Sequence, residues 1–127
     1  MSFAREVRAT WPLVVGLALW FAVVPLAVFW LRDAGILAPA EATALANLVL
    51  LALNPLVVFV LAAVVGHRRG LAWPFAVAVA VAWLPAVAVF GTSALVYAPV
   101  HAFFALFGLV VGWGVRTLVD QARSRER

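Results

Sequence analysis

The sequence predicts an all-α, polytopic membrane protein: four transmembrane helices in an up-down-up-down bundle. Three observations carry that prediction. First, hydrophobic residues make up 68% of the 127-residue chain and charged residues only 11%, with a mean hydropathy of +1.15. A soluble domain holds about 25% charged residues, and a small one has too much surface to hide this many apolar side chains. Second, the apolar residues fall into four runs, each near the roughly 20 residues a helical span needs. Third, no Asp, Glu, Lys or Arg lies inside any of the runs.

The runs extend from about Trp11 to Leu31, Ala44 to Val65, Leu71 to Phe90 and Ala94 to Val115. They form one domain, residues 1–127, with a basic tail at 116–127. The connections are Arg32 to Thr43, Gly66 to Gly70 and Gly91 to Ser93, short enough to favour antiparallel neighbours. A transmembrane barrel would need short stretches alternating apolar and polar. The stretch 75–82 alternates only Ala and Val with its one Phe, so a barrel is rejected. The first run exceeds the 7–15 residues of a signal-peptide core and reads as a retained helix.

Nine Arg and no Lys supply the positive charge. Arg5 and Arg8 precede the first span, Arg68 and Arg69 lie between spans two and three, and Arg116, Arg123, Arg125 and Arg127 follow span four. Only Arg32 lies on the other side, beside Asp33 and Glu41. The positive-inside rule then predicts both termini in the cytoplasm, in a bacterial inner membrane. A net charge of +4 read this way needs no nucleic-acid partner, because there is no soluble basic face.

Within the spans, Pro12 and Pro74 are expected in first helical turns, where the missing N–H is harmless. Trp11, Trp73, Trp113 and Trp30 are expected at the two membrane interfaces. Pro25, Pro55, Pro85 and Pro99 fall inside spans and are candidate hinges that could splay the outer half. Ala78, Ala82 and Ala86 form a small-residue stripe on span three. Gly108 and Gly112 form a G-x-x-x-G on span four, with Ala105 near the same face. Such stripes let backbones approach, against a neighbouring helix or another subunit. Spans one and three share a Trp-Pro start, a later Trp and Pro, then Phe, a faint trace of a duplicated hairpin.

The polar groups inside the membrane are few. Trp20, Asn54, Trp83 and His101 lie nine, eleven, twelve and fourteen residues from the predicted cytoplasmic boundary, which places them in one slab near mid-membrane. Unpaired polar groups are costly there, so they should face inward and meet one another or water. Tyr97 and His101 are four apart and share a helix face; Asn47 and Asn54, seven apart, are expected to share another. One reading makes these residues interhelical glue. The other makes His101, Tyr97, Asn54, Trp20 and Trp83 a site for a small molecule or ion.

No cofactor is expected. The chain lacks Cys, which excludes thiolate metal sites and disulfides. His67 and His101 are separated by about 20 Å along the membrane normal, too far to share a haem within one subunit. Ser93 near Tyr97 and His101 has no acidic residue to complete a triad, and no phosphate-binding glycine loop is present. No metal site and no enzymatic activity are therefore expected. The absence of intramembrane carboxylates also disfavours proton-coupled exporters.

The segment from Asn54-Pro55 through Gly66, Gly70, Trp73 and Pro85 to Ser93-Ala94, Tyr97, Gly108 and Gly112 resembles a family of small uncharacterised four-span bacterial integral membrane proteins. In that pattern an Asn lies near the third connection and a second Tyr in the fourth span; here Gly91 and His101 stand there. The resemblance implies a four-span membrane fold and brings no activity with it. The expected function is that of a small non-enzymatic membrane protein acting through helix packing, as an accessory subunit or homo-oligomer in the lipid bilayer. The alternative is a minimal transporter or channel built as an oligomer around the mid-membrane polar site.

Overall fold

The computed structural model describes residues 2–127. All their regular structure is helical. Four helices are long and apolar enough to cross a membrane: α1 (Phe3–Asp33), α2 (Pro39–Arg69), α3 (Trp73–Phe90) and α4 (Thr92–Arg125). At 1.5 Å per residue α1 and α2, with 31 residues each, are about 46 Å long. They overreach a hydrocarbon core of about 30 Å, whereas α3, with 18 residues, rises about 27 Å and only nearly matches it.

Except for α3, which starts two residues late at Trp73, the helices begin earlier than the apolar runs do. Ser2 caps α1, its hydroxyl accepting the Arg5 N–H at 3.5 Å. Pro12 therefore lies well inside α1, not in its first turn as its sequence context implied. Pro74, by contrast, does sit at the start of α3, so the two Trp-Pro pairs are not structural equivalents. On the far side α2 starts at Pro39 rather than Ala44. Pro39 occupies the first turn, where its ring is pre-shaped for a helix, and Glu41 complements the positive helix end.

The prolines of the spans behave in three ways. Pro12 and Pro25 lie within an unbroken α1. At Pro55 the preceding turn, Val49–Leu53, is π-helical, and the Asn54 N–H reaches back five residues to the Val49 carbonyl. Pro55 has no N–H for the Leu51 carbonyl and its ring would press on that group; the widened turn relieves both problems. The same turn rotates the upstream residues, which is why Asn47 is exposed while Asn54 is buried. In α3 the α-helix is interrupted at Trp83, whose N–H is shared between the Val79 and Ala80 carbonyls at 3.2 and 3.3 Å. Pro85 follows and cannot continue that ladder. Pro99 is not mid-helix: a 3₁₀ turn, Thr92–Val96, opens α4, and Pro99 falls in the first α-turn after it.

Successive helices alternate in direction, but their packing order is not their chain order. The tightest interface joins α2 to α4, two parallel helices; α1 packs on α3, also parallel, and on α2; α3 packs on α4. The three-residue link 70–72 leaves α2 and α3 barely touching, so that short link does not make packed neighbours. Gly35 and Gly91, at φ +76° and +98°, turn the chain where a side chain would be strained.

Glycine explains the α2–α4 interface. A Cβ on Gly112 would strike the Ala63 backbone, one on Gly66 the Leu109 backbone, and one on Gly108 the Phe59 carbonyl and Ala62 side chain. The G-x-x-x-G face therefore packs within the chain. Ala78, Ala82 and Ala86 are likewise buried. Leu17, Phe21, Phe75, Val79, Trp83 and Leu109 fill the core. Outward-facing Leu26, Leu51, Leu56, Phe103 and Phe107 are exposed, as are Trp11, Trp30, Trp73 and Trp113. An apolar exterior flanked by exposed tryptophans is that of a helix bundle in a bilayer.

Candidate functional site

Helix α1 brings two consecutive residues to the mid-membrane slab, each facing a different neighbour. Trp20 Nε1 donates to Asn54 Oδ1 on α2 at 2.8 Å. Phe21 lies edge-on to both Trp83 and His101, with centroids 5.4 and 4.9 Å away. Trp83 and His101 stack almost in parallel, 4.6 Å apart at 18°. The indole N–H of Trp83 donates to the Ala94 carbonyl at 2.8 Å, tying the bend of α3 to the opening turn of α4. Trp83, Phe21 and His101 are each fully buried and Asn54 is 1% exposed.

His101 Nδ1 lies 2.6 Å from the Tyr97 carbonyl oxygen. A carbonyl can only accept, so Nδ1 carries the proton and Nε2 presents a lone pair. That Nε2 has no partner, and neither has Asn54 Nδ2. A buried acceptor and a buried donor are thus left over on adjacent parallel helices. The Tyr97 ring meets Trp83 edge-on at 6.2 Å. It meets His101 through its backbone oxygen rather than its hydroxyl, and it is only half-buried.

The five polar residues singled out from sequence therefore do gather. They form two groups, Trp20 with Asn54 and Trp83 with His101 and Tyr97, and not one ring. Among the candidate hinges, Pro25 and Pro55 are buried, whereas Pro85 and Pro99 are exposed. His67 is exposed at the bundle end, remote from His101. Among the described residues no three His, Asp or Glu side chains converge.

A second polar cluster lies at the arginine-rich end; sequence reasoning read its arginines only as flanking charges and passed over Glu6. Arg69 donates through Nε and Nη2 to the two Glu6 oxygens, at 2.8 and 2.9 Å. This two-pronged pair clamps the start of α1 to the end of α2. Both residues lie beyond the apolar runs. The Arg69 hydrogen bond holds the Glu6 carboxyl below its ordinary range, outweighing the opposing effect of burial, and the same bond raises Arg69. The available signal was a lone acid between Arg5 and Arg8. Nearby, Arg116 Nη1 donates to the Arg68 carbonyl at 3.1 Å, covering a free carbonyl in the last turn of α2.

Fold and core together define a multi-pass helical membrane protein with an uncharged interior and its charges at the two ends. Comparison with protein-family models, with curated proteins and with solved structures returned no match.

Proposed function

We propose that the chain is a non-enzymatic membrane component that works by packing: an accessory subunit of a larger complex, or a homo-oligomer. The supporting observation is the state of the mid-membrane slab. Its chemistry-bearing groups are turned inward and engaged with one another, with His101 closed off between Trp83 and Phe21. Such an arrangement rigidifies a core, and it leaves only Trp20 and Tyr97 part-exposed. Gly108 and Gly112 are already occupied by α2, so a partner uses other faces of the bundle. The Arg asymmetry supports both termini in the cytoplasm, and the use of Arg without any Lys supports a bacterial inner membrane.

The second reading, a minimal channel or transporter formed by several copies, is favoured by one observation. Asn54 Nδ2 and His101 Nε2 are a complementary donor and acceptor without partners. One pair of measurements separates the two. Mild-detergent purification is expected to yield an assembly larger than one copy, and proteoliposomes are expected to hold small-solute and ion gradients as well as empty vesicles do. A strict monomer that copurifies nothing overturns the packing reading. A flux that His101→Ala abolishes establishes the transport reading in its place.

A further inference from the structure

We propose that the groove between α2 and α4 at the arginine-rich end seats one acyl chain of an anionic phospholipid, with the headgroup phosphate held by Arg68 and Arg116. The groove has a volume of about 450 Å³; Phe59, Ala63 and Val64 form one wall, Val111 and Val115 the other, and Gly112 the floor. It exists because Gly112 packs against the Ala63 backbone with no side chain between, while the larger residues on either side stand up as walls.

Its length fits one leaflet. From Phe59 to Arg68 the α2 backbone rises about 14 Å, against about 15 Å for half of a 30 Å hydrocarbon core. The mouth is cationic. His67 and Arg68 line it, and Arg116 is drawn to it by its hydrogen bond to the Arg68 carbonyl. Glu6 is engaged by Arg69, and Arg68 forms no ion pair among the described residues. Asp120 is the one carboxylate nearby, 3.9 Å from Arg116 Nε and exposed. Two guanidinium groups, one of them 3.9 Å from a single exposed carboxylate, present donors of the kind that suit phosphate. A basic pocket between helices above an apolar groove is the form such lipid sites take. Trp113, whose ring lies 3.8 Å from where a Cβ on Gly70 would sit, marks the same level as the membrane interface. This inference is independent of how the bundle assembles.

The test uses the full purified chain in detergent, read by native mass spectrometry and thermal unfolding. Dioleoylphosphatidylglycerol is expected to remain bound and raise the Tm. Dioleoylphosphatidylcholine, which has its own cation beside the phosphate, is expected to do so less, and inorganic phosphate not at all. Arg68→Gln is expected to weaken phosphatidylglycerol binding about fivefold. Val111→Trp, which fills the groove, is expected to weaken it also, while Arg123→Gln in the tail leaves it unchanged. Equal binding of the two lipids overturns the proposal. So does a phosphate-only shift of the same size, wild-type binding by both Arg68→Gln and Val111→Trp, or an Arg123→Gln loss equal to that of Arg68→Gln.

Discussion

Asn54 joins two helices through a single side-chain bond. Its oxygen accepts from Trp20 across the α1–α2 interface, and its amide nitrogen is left without a partner. The two halves oppose each other, since the bond stabilises and the unpaired N–H₂ costs. Asn54→Leu removes both and strands the Trp20 N–H. In a double-mutant cycle with Trp20→Phe, the coupling between the two side chains is expected at about 0.6–1.7 kcal/mol, the range for interhelical hydrogen bonds in membranes. Unfolding in mixed detergent micelles measures it, and a coupling of zero would remove the pair from the stabilising contacts. That Asn54, Trp20, Trp83 and His101 face inward was legible in the sequence, because an unpaired polar group near mid-membrane is costly. Their partners were not legible. Trp83 bonds a backbone carbonyl made available by a 3₁₀ turn, and Tyr97 contributes its backbone rather than its hydroxyl. Both depend on local backbone geometry that residue spacing does not encode.

At the scale of helices, close approach is decided by three glycines and irregularity by two prolines. The Gly112 contact is backbone against backbone, so an added methyl cannot be absorbed by a rotamer change. Gly112→Ala is expected to cost about 1–3 kcal/mol, as overpacking does. Gly114, where an added Cβ meets nothing within 4 Å, is the control: Gly114→Ala should be neutral or slightly stabilising, since alanine is the better helix former. Equal stabilities for the two variants would show that the α2–α4 contact is looser than described. The G-x-x-x-G and the alanine stripe could be read as packing surfaces. Whether they met a helix of this chain or of another could not, because a stripe specifies an approach and not an owner. Pro25, Pro55, Pro85 and Pro99 could be read as disturbances, although Pro25 leaves α1 unbroken. The form of the disturbance could not: a widened turn before Pro55, an interruption at Trp83 before Pro85, and near-normal helix initiation at Pro99. Asn47 shows the consequence, since seven residues of ideal helix would have put it beside Asn54 and the π turn carries it to the surface.

For the molecule as a whole, four apolar runs and their connections sufficed to predict alternating spans. The side-by-side order was beyond reach because every span offers similar Ala- and Val-rich faces, and the choice rests on a few glycine contacts between α2 and α4. The Glu6–Arg69 pair joins the first helix to the second at the same end where Arg116 meets Arg68. That end therefore gathers the starts of α1 and α3 with the ends of α2 and α4, and with them eight of the nine arginines. Positive residues near span ends resist translocation, so this end is expected in the cytoplasm. The cysteine-free chain makes the test direct, since any introduced thiol is the only one. Ser2→Cys and Ser124→Cys should escape a membrane-impermeant maleimide in intact expressing cells and react after permeabilisation. Ala34→Cys, in the link between α1 and α2, should react without it. The reverse pattern at all three sites would invert the orientation and leave the bundle standing. Labelling of Ser2→Cys and Ser124→Cys from opposite sides would mean an odd number of crossings, which no four-helix arrangement of this chain allows.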